Sequence, residues 1–459
     1  MSEIITISPV TGNPVCVHKT SNLQDALAAS AAAFQSYKTI SLGQKKQWLE
    51  KFLVLLDQDI DDAAKEISML MGRPARYCKS EITTMMKRAR FLLDIAETSL
   101  RDIDAGQEQN INKWIKKVPV GVALIVSTWN YPYLVAINTF FPALLAGNTV
   151  LFKVSPQTPL VGERISKLLK RAGLPEAVFT VIHTNTLHEL ENLVKNDKVS
   201  LVCFTGSVAA GRALSKAACD RFISVNLELG GKDPAYIRSD ADLAKVVPEV
   251  VEGALFNSGQ SCCSIERVYV HESIYDTFVG MAKAEIEGYI LGDPADESTM
   301  LGPVVSQKSA DTIRLQIEDA IRQGARSLIP RVHFPKDDGR GTFVAPCLLV
   351  NVRNDTKIMQ EETFGPVMPV MKVKDDEEAI KHMNDSKYGL TASIWTADEA
   401  KAIELCDQVE AGTVFVNRAD YPDPSLAWTG WKESGRGATL SILAFDPFVK
   451  LKSYHIKRL

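Results

Sequence analysis

The stretch Val120-Gly121-Val122-Ala123-Leu124-Ile125-Val126 decides the class of fold. It is a continuous apolar run of strand length, which is typical of a strand buried on both faces. A helical pattern follows over residues 134–146 and stops at Gly147-Asn148, and residues 149–154 form a second apolar run. Strands of this kind separated by helices predict a parallel sheet.

The same alternation continues downstream. A helix opens at Pro159 and closes at Gly173, and strands are predicted at 178–182 and 200–204 with a helix at 187–195 between them. Strand and helix repeated in this way predict an α/β fold with helices on both faces of the sheet, an architecture that binds nucleotides. A second α/β unit begins at residue 233, and residues 412–417 form a late strand.

The regions at either end follow other patterns. Residues 25–56 and 60–99 have helical periodicity with a break at Gly72 and Pro74, and residues 76–101 are predicted to form one long helix. The polar residues 102–117 have little to bury, so we expect a projecting hairpin. Residues 448–457 alternate loosely and are predicted to be an edge strand.

Composition excludes several classes of protein. The 459 residues are 46% hydrophobic and 24% charged with a net charge of −4, so no nucleic-acid partner is expected. No apolar run reaches membrane-spanning length and residues 1–14 do not resemble a signal peptide, so no membrane partner is expected. The eight cysteines lack zinc-site spacing, so we predict no metal and reduced thiols in the cytoplasm.

Three short segments carry candidate chemistry. The turn at 205–211 offers glycines and a helix N-terminus to a pyrophosphate, although an ordinary strand-to-helix turn explains it equally well. Glu228 ends a strand shortly before Gly230-Gly231, and its carboxylate is either a general base or a solvated charge. Cys262 and Cys263 lie between a helix and a strand, where a thiol is either a nucleophile or an inert small hydrophobe.

Five separated motifs, in order and spacing, give the chain a resemblance to the aldehyde dehydrogenase superfamily, specifically its hydrolytic, non-CoA-acylating branch. The resemblance covers nearly the whole chain. The motifs are Thr128-Trp129-Asn130-Tyr131-Pro132, Phe204-Thr205-Gly206-Ser207, Glu228-Leu229-Gly230-Gly231-Lys232, Phe256-Asn257-Ser258-Gly259-Gln260-Ser261-Cys262 and Glu362-Thr363-Phe364-Gly365-Pro366-Val367.

This resemblance implies a domain organisation. It implies a Rossmann-like cofactor domain formed by residues 1–99 and 120–229, and an α/β catalytic domain formed by residues 230–446. It also implies a small β oligomerisation element formed by residues 100–119 and 447–459, and with it a homodimer or homotetramer.

The resemblance further implies NAD(P)-dependent oxidation of an aldehyde to a free acid. Cys262 would be the nucleophile, because its thiolate attacks the aldehyde carbon. Asn130 would donate an N–H to the oxyanion, and Glu228 would activate the water that hydrolyses the thioester. Cys263 would be only a neighbour.

Cofactor contacts follow from the same resemblance, with NAD or NADP as the cofactor. Ribose, pyrophosphate and ring contacts would come from Thr128, Trp129, Lys153, Gly206, Ser207, Glu362 and Phe364. Pro156 departs from many NAD-preferring relatives, which have a glutamate there that binds the ribose 2′-OH. Proline neither accepts that hydrogen bond nor repels a 2′-phosphate, so we predict that NADP is tolerated.

The substrate is the least determined feature. Relatives that act on succinic semialdehyde have an arginine where this chain has Asn138, although Arg418 is a candidate replacement. The expected pocket residues are Tyr131, Asn138, Asn417, Arg418 and Trp428. We expect a neutral aliphatic or aromatic aldehyde, with semialdehydes and aminoaldehydes as the alternatives.

Two other classes of function compete with this one. A thiol hydrolase or acyltransferase needs a histidine beside the cysteine, and the nearest, His271, lies beyond the following strand. A binding protein without catalysis has no chemical need for Cys262, Glu228, Asn130 and Lys153 together. Turnover on a panel of aldehydes separates the three hypotheses.

Overall fold

The computed structural model describes residues 2–419 and 421–458. The first half of the chain ends with the strand that carries Glu228. Its helices and strands are β1 (Glu3–Ile7), β2 (Pro14–Lys19), α1 (Leu23–Tyr37), α2 (Leu42–Gln58), α3 (Ile60–Met71), α4 (Ala75–Leu100), β3 (Ile103–Glu108), β4 (Ile111–Pro119), β5 (Val122–Val126), α5 (Pro132–Ala146), β6 (Thr149–Lys153), α6 (Pro159–Ala172), β7 (Phe179–Ile182), α7 (Leu187–Lys195), β8 (Val199–Thr205), α8 (Val208–Ala217) and β9 (Ser224–Glu228).

The second half begins with a new buried strand. Its helices and strands are β10 (Asp233–Ile237), α9 (Leu243–Leu255), β11 (Ile265–His271), α10 (Tyr275–Glu287), α11 (Gln307–Arg322), β12 (Arg326–Ser327), β13 (Cys347–Val350), α12 (Lys357–Gln360), β14 (Val367–Val373), α13 (Asp376–Asn384), β15 (Tyr388–Gly389), β16 (Thr391–Trp395), α14 (Glu399–Cys406), β17 (Thr413–Val416), β18 (Trp431–Lys432), β19 (Gly435–Arg436) and β20 (Val449–Lys457).

The first sheet has the strand order β19-β9-β8-β5-β6-β7, and all its strands are parallel except β19. Apolar clusters cover both of its faces. The chain moves outward from β5 to β6 and β7, then returns to the other side of β5 for β8 and β9. Such a reversal opens a crevice at the carboxyl ends of β5 and β8, where ligands of α/β sheets bind.

The second sheet has the order β12-β13-β14-β11-β10-β16-β17, with only β12 antiparallel to its neighbour. It too is covered by apolar clusters on both faces. The expected α/β fold class is therefore confirmed. Residues 229–232 connect the end of β9 to the start of β10, so the carboxyl end of the first sheet meets the amino end of the second.

The chain returns to the first unit before residue 446, where the catalytic domain was expected to end. β19 pairs with β9, with Gly435 opposite Glu228. Phe445 and Phe448 belong to the apolar cluster on one face of the first sheet. The chain therefore rejoins the first unit about ten residues earlier than predicted. The sequence could not indicate this return, because pairing between distant strands leaves no local signal.

Residues 103–119 and 449–457 form a separate three-stranded sheet in the order β20-β4-β3. Trp114 and Tyr454 stack across it with ring centroids 4.6 Å apart. Most of its side chains are exposed or half-buried. The predicted hairpin and edge strand are thus confirmed.

Local differences from the predictions concern helix starts and the N-terminus. α8 begins at Val208, inside the stretch 205–211 that was predicted to be a turn, because the Ser207 hydroxyl caps it by accepting from the Ala210 N–H. The helical periodicity over 25–56 corresponds to two helices, α1 and α2, since Ser41 caps a new start. The hairpin of β1 and β2 was not predicted. Within the described ranges, no helix is long and apolar enough to span a bilayer.

Candidate active site

One cavity of about 1290 Å³ lies where the two sheets meet. Its walls come from the loops after β5, β8 and β9, from the segment before β11 and from the loop before β14. Cys262, Glu228, Asn130, Glu362 and Phe364 all line it. Gly206 and Ser207 line it as well, so all five sequence motifs are brought to a single site.

The turn before Cys262 has an unusual backbone. Asn257 and Ser258 have left-handed φ values of 54° and 56°, followed by Gly259 at 69°. A Cβ on Gly259 would lie 2.1 Å from the carbonyl oxygen of Gly365. Only glycine allows this approach, which holds the cysteine segment against the loop that carries Glu362 and Phe364.

The two cysteines have different surroundings. Cys262 is half-buried, lines the cavity and has no disulfide partner. Cys263 is 4% exposed and packs with Trp428, Leu390 and Leu440. Trp428 therefore lies behind the thiols as part of a small apolar cluster while also reaching the cavity wall.

Asn130 is held by a buried hydrogen-bond network. One N–H of its side chain donates to the Gln260 carbonyl oxygen at 3.2 Å. Its main-chain carbonyl oxygen accepts hydrogen bonds from the Arg73 guanidinium and from the side-chain amide of Asn257. The amide is thereby fixed in the cavity wall beside the cysteine segment.

Arg73 and Glu81, which the sequence analysis missed, organise this network. The Arg73 guanidinium is buried, donates to Asn257 Oδ1 at 3.0 Å, pairs with Glu81 and lies 4.4 Å from the centre of the Tyr131 ring. Glu81 also accepts the Tyr133 N–H at 2.9 Å at the start of α5. Glu81 occupies an apolar position of α4, which was the available sequence signal, whereas Arg73 lies before that helix.

Glu228 ends β9 with its carboxylate in the cavity wall. Thr439 Oγ1 donates to Glu228 Oε1 at 2.5 Å, and Thr205 Oγ1 donates to Oε2 at 3.3 Å. Burial raises the pKa of Glu228, and the two hydroxyls and Arg88 oppose that rise only in part. A carboxylate with a raised pKa is suited to taking a proton from water.

The loop of Glu362 and Phe364 is fixed by an acid that the sequence analysis did not assign. Glu266 accepts the N–H groups of Thr363 and Phe364, each at 2.8 Å, and binds the ammonium of Lys232 at 2.6 Å. Burial, with the nearby Glu266 charge, raises the pKa of Glu362 to about 8. This loop places the Phe364 ring edge-on to Trp129 at 5.6 Å.

The residues expected to hold a dinucleotide have suitable chemistry. Thr128, Trp129, Gly206 and Ser207 line the cavity at the carboxyl ends of β5 and β8, and Ser207 starts α8, whose first N–H groups suit a pyrophosphate. Lys153 ends the neighbouring strand β6. Burial lowers the pKa of its ammonium to about 8, and no described residue forms an ion pair with it.

Pro156 lies in the turn after β6 and, like Lys153, outside the cavity wall. Its carbonyl oxygen accepts from Thr6 Oγ1 at 2.7 Å, so the N-terminal hairpin contacts this turn.

The expected substrate residues divide into two groups. Tyr131, Asn138 and Arg418 line the cavity, and the Arg418 guanidinium lies 3.7 Å from the centre of the Tyr421 ring. Asn417 also borders the cavity, but its amide exchanges two hydrogen bonds with the backbone of Thr396 at 2.9 and 2.8 Å. Asn417 therefore holds the ends of β16 and β17 together.

Arg88 is a further cavity residue that the sequence analysis missed. Its guanidinium is buried and donates to three neutral oxygens, those of Leu134, Asn138 and Pro422, each at 3.2 Å. Among the described residues, none accepts a hydrogen bond from its Nε, and no carboxylate lies within ion-pair distance. A buried charge of this kind is uncommon in a structural core.

A crevice at the carboxyl ends of parallel strands, a cavity cysteine and a buried carboxylate are features of an α/β enzyme. Comparison with known proteins identifies the family, since the family model described as aldehyde dehydrogenase family matches residues 2–454. An aldehyde dehydrogenase of Paenarthrobacter nicotinovorans is 34% identical, over 98% of this chain and 99% of that protein.

A succinate-semialdehyde dehydrogenase [NADP(+)] of Mycobacterium avium (strain 104) is 32% identical, over 99% of this chain and 96% of that protein. The structure of an NADP-dependent glyceraldehyde-3-phosphate dehydrogenase from Bacillus halodurans C-125 in complex with NADP superposes with a TM-score of 0.94 and 30% identity, over 99% of this chain and 96% of that one.

The chain belongs to the aldehyde dehydrogenase family. The expected family, the oxidation of an aldehyde and NAD or NADP as the cofactor are therefore confirmed.

Proposed function

We propose that Cys262, Asn130 and Glu228 carry out the oxidation of an aldehyde to a free carboxylic acid. The observation that supports this assignment is their convergence, with Glu362 and Phe364, on one cavity. Both cysteines border the cavity, but Cys262 is half-buried whereas Cys263 is 4% exposed and packs in the apolar cluster of Trp428.

The proposed sequence of steps follows from where each group lies. The Cys262 thiolate adds to the aldehyde carbon, and the oxygen, now an anion, accepts an N–H of Asn130. Bound NAD(P)+ supplies the hydride acceptor. The resulting thioester on Cys262 is hydrolysed by a water that gives its proton to Glu228, which releases the acid and the thiol.

We assign cofactor binding mainly to the first unit, whereas the second unit contributes Cys262 and Glu362. Gly206 and Ser207 would hold the pyrophosphate, Lys153 the adenosine ribose and Glu362 the nicotinamide ribose. The positive ammonium of Lys153 and the free N–H groups at the start of α8 favour such an anionic ligand.

The decisive experiment pairs the two cysteines. The native chain is assayed with a panel of aldehydes and with both NAD+ and NADP+, following formation of the reduced cofactor. Cys262→Ala should lower kcat by at least about a thousandfold, because the residue forms the covalent intermediate. Cys263→Ala should retain most of the activity. The reverse result would assign the nucleophile to Cys263, and a folded native chain that turns over no aldehyde would refute the function itself.

A specific observation now favours the semialdehyde alternative over a neutral aldehyde. Arg88 and Arg418 both border the cavity without an ion-pair partner among the residues described, and Arg88 is buried. A carboxylate on the substrate would neutralise that charge. The curated relative from Mycobacterium avium is named for such a substrate.

The substrate test compares succinic semialdehyde with butanal, which has the same carbon chain without the carboxylate. We expect a higher kcat/KM for the semialdehyde, and Arg88→Gln should lower that value by about 10- to 100-fold while changing the value for butanal little. Arg90→Gln, an exposed position on the same helix, is the control. A native preference for butanal would restore the neutral-aldehyde prediction.

We further propose a homodimer or homotetramer in the cytoplasm. The sheet of β3, β4 and β20 exposes Leu451 and Ile456 and has an outer edge at β3, where a second copy can add strands. All eight cysteines are free thiols, which is consistent with a reducing compartment. Light scattering after gel filtration tests the assembly, and truncation after residue 448, which removes β20 and keeps the buried Phe448, should give monomers.

A further inference from the structure

Two histidines and a glutamate meet on the first unit, away from the active-site cavity. His18 lies near the end of β2, Glu163 lies in α6, and His183 directly follows β7. The Nε2 atom of His18 is 3.0 Å from Glu163 Oε1, and the Nε2 atom of His183 is 3.2 Å from the same oxygen. The two imidazole rings stack with centroids 4.7 Å apart and an angle of 23° between their planes.

We propose that His18, Glu163 and His183 bind a divalent transition-metal ion, with Zn²⁺ as the best fit. Two imidazole nitrogens and one carboxylate are a common ligand set for zinc. One potential ligand atom from each residue lies within 4.8 Å of the other two. With bonds of about 2.0–2.1 Å, a tetrahedral ion separates its ligand atoms by roughly 3.3–3.4 Å. The two measured nitrogen–oxygen distances are within a few tenths of an ångström of that separation.

Access and charge support an ion at this position. The side chains of both histidines are 13% exposed and that of Glu163 is 45% exposed, so an ion can enter from solvent and keep a water as its fourth ligand. The single carboxylate supplies one negative charge against the ion. With the ion bound, its bonds to the two neutral imidazoles and to the carboxylate would replace N–H hydrogen bonds as the link between the three side chains.

The competing occupant of the site is a proton on each histidine. Two Nε2–H groups can donate to one carboxylate oxygen, and 3.0 and 3.2 Å are also ordinary hydrogen-bond lengths. The buried Nδ1 of His18 has no hydrogen-bond partner in either arrangement. A hydrogen bond to the second ring nitrogen of a histidine strengthens its bond to a metal. Because His18 lacks that hydrogen bond, we expect weaker metal binding than at a closed four-ligand zinc site.

The ion would join three segments that are distant in sequence. It would fix the β1–β2 hairpin to α6 and to the edge strand β7. The same hairpin reaches the turn after β6 through the bond from Thr6 to the Pro156 carbonyl. The predicted role is therefore to stabilise this edge of the first unit, without taking part in the reaction at Cys262.

The test is a titration of the full-length chain with ZnCl₂ by calorimetry, and with CoCl₂ by visible absorption, which reports the coordination geometry. Cys262→Ala serves as the background, so that the active-site thiol adds no second site. We expect one ion per chain. His18→Ala, Glu163→Gln and His183→Ala should each weaken binding by at least about a hundredfold, since losing even an outer-shell partner costs about 10- to 100-fold.

His188→Ala is the matched control, because this exposed histidine of α7 is close in sequence but lies outside the cluster. Circular dichroism and melting without metal show whether each variant remains folded. Glu163→Gln, on a partly exposed side chain, keeps the test interpretable if a histidine variant unfolds. No zinc binding by the native chain, or equal binding by the His18→Ala/His183→Ala double variant, would overturn the proposal.

Discussion

The buried guanidinium of Arg73 donates a hydrogen bond to the main-chain carbonyl of Asn130, the proposed oxyanion donor. The same guanidinium reaches Asn257 in the turn before the cysteines and pairs with Glu81 on α4. One side chain thus joins the two segments that must meet for the proposed reaction. Arg73 touches no reacting atom and is a positioning residue.

We therefore expect Arg73→Lys to lower kcat by about 10- to 100-fold while KM for the aldehyde changes little, because the compact ammonium of lysine cannot reach three acceptors spread around a planar guanidinium. Steady-state kinetics separate the two constants. Arg76→Lys, an exposed residue at the start of α4, should leave both unchanged. An unchanged kcat in folded Arg73→Lys would show that Asn130 does not need this support.

The raised pKa of Glu228 predicts the pH dependence of turnover. Below that pKa the carboxyl is protonated and cannot accept a proton from water, so kcat should fall on the acid side at a pH above the usual range of a glutamate. Thr439→Val removes a hydrogen bond that favours the carboxylate, and should move the acid limb to higher pH.

Glu228→Gln should lower the steady-state rate by about 10²- to 10⁴-fold and abolish the acid limb. A burst of reduced cofactor should remain, because the thioester still forms. Glu249→Gln, an exposed acid at the cavity rim, should keep the native pH profile. An acid limb that survives in Glu228→Gln would assign the base to another group.

Pro156 predicts weak discrimination between the two cofactors. Its side chain gives neither a hydrogen bond to a ribose 2′-OH nor a negative charge against a 2′-phosphate. The ratio of kcat/KM for NAD+ and NADP+ measures this preference, and Pro156→Glu should shift it toward NAD+. A native preference for NAD+ above about a hundredfold, which is about 2.7 kcal/mol, would contradict the prediction.

Gly259 predicts a sharp difference between two glycine substitutions. Gly259→Ala should destabilise the fold by at least about 1–2 kcal/mol and lower activity, because φ is +69° and the new Cβ would overlap Gly365. Gly280→Ala, in the exposed interior of α10 with open space around it, should instead stabilise by about 0.4–1 kcal/mol. Denaturant unfolding measures both values.

Much of the site could be predicted because its motifs are local. The strand ends, the glycine turns and the cysteine segment each have a signature within a few residues. The resemblance carried by these motifs predicted Cys262, Glu228, Asn130 and Glu362 as site residues, and the structure brings all four to one cavity. The supporting residues were not predicted. Arg73, Arg88 and Glu266 act on segments far away in the chain, and their contacts have no local pattern.

The sequence by itself determined the alternation of buried strands and helices, and with it two parallel sheets and the order of the motifs. Local propensity and apolar periodicity suffice for that. Only the tertiary structure decided that the carboxyl end of one sheet meets the amino end of the other, that β19 returns to β9, and that His18, Glu163 and His183 converge. Those relations depend on packing between distant segments, where burial and hydrogen bonding act through space and independently of position along the chain.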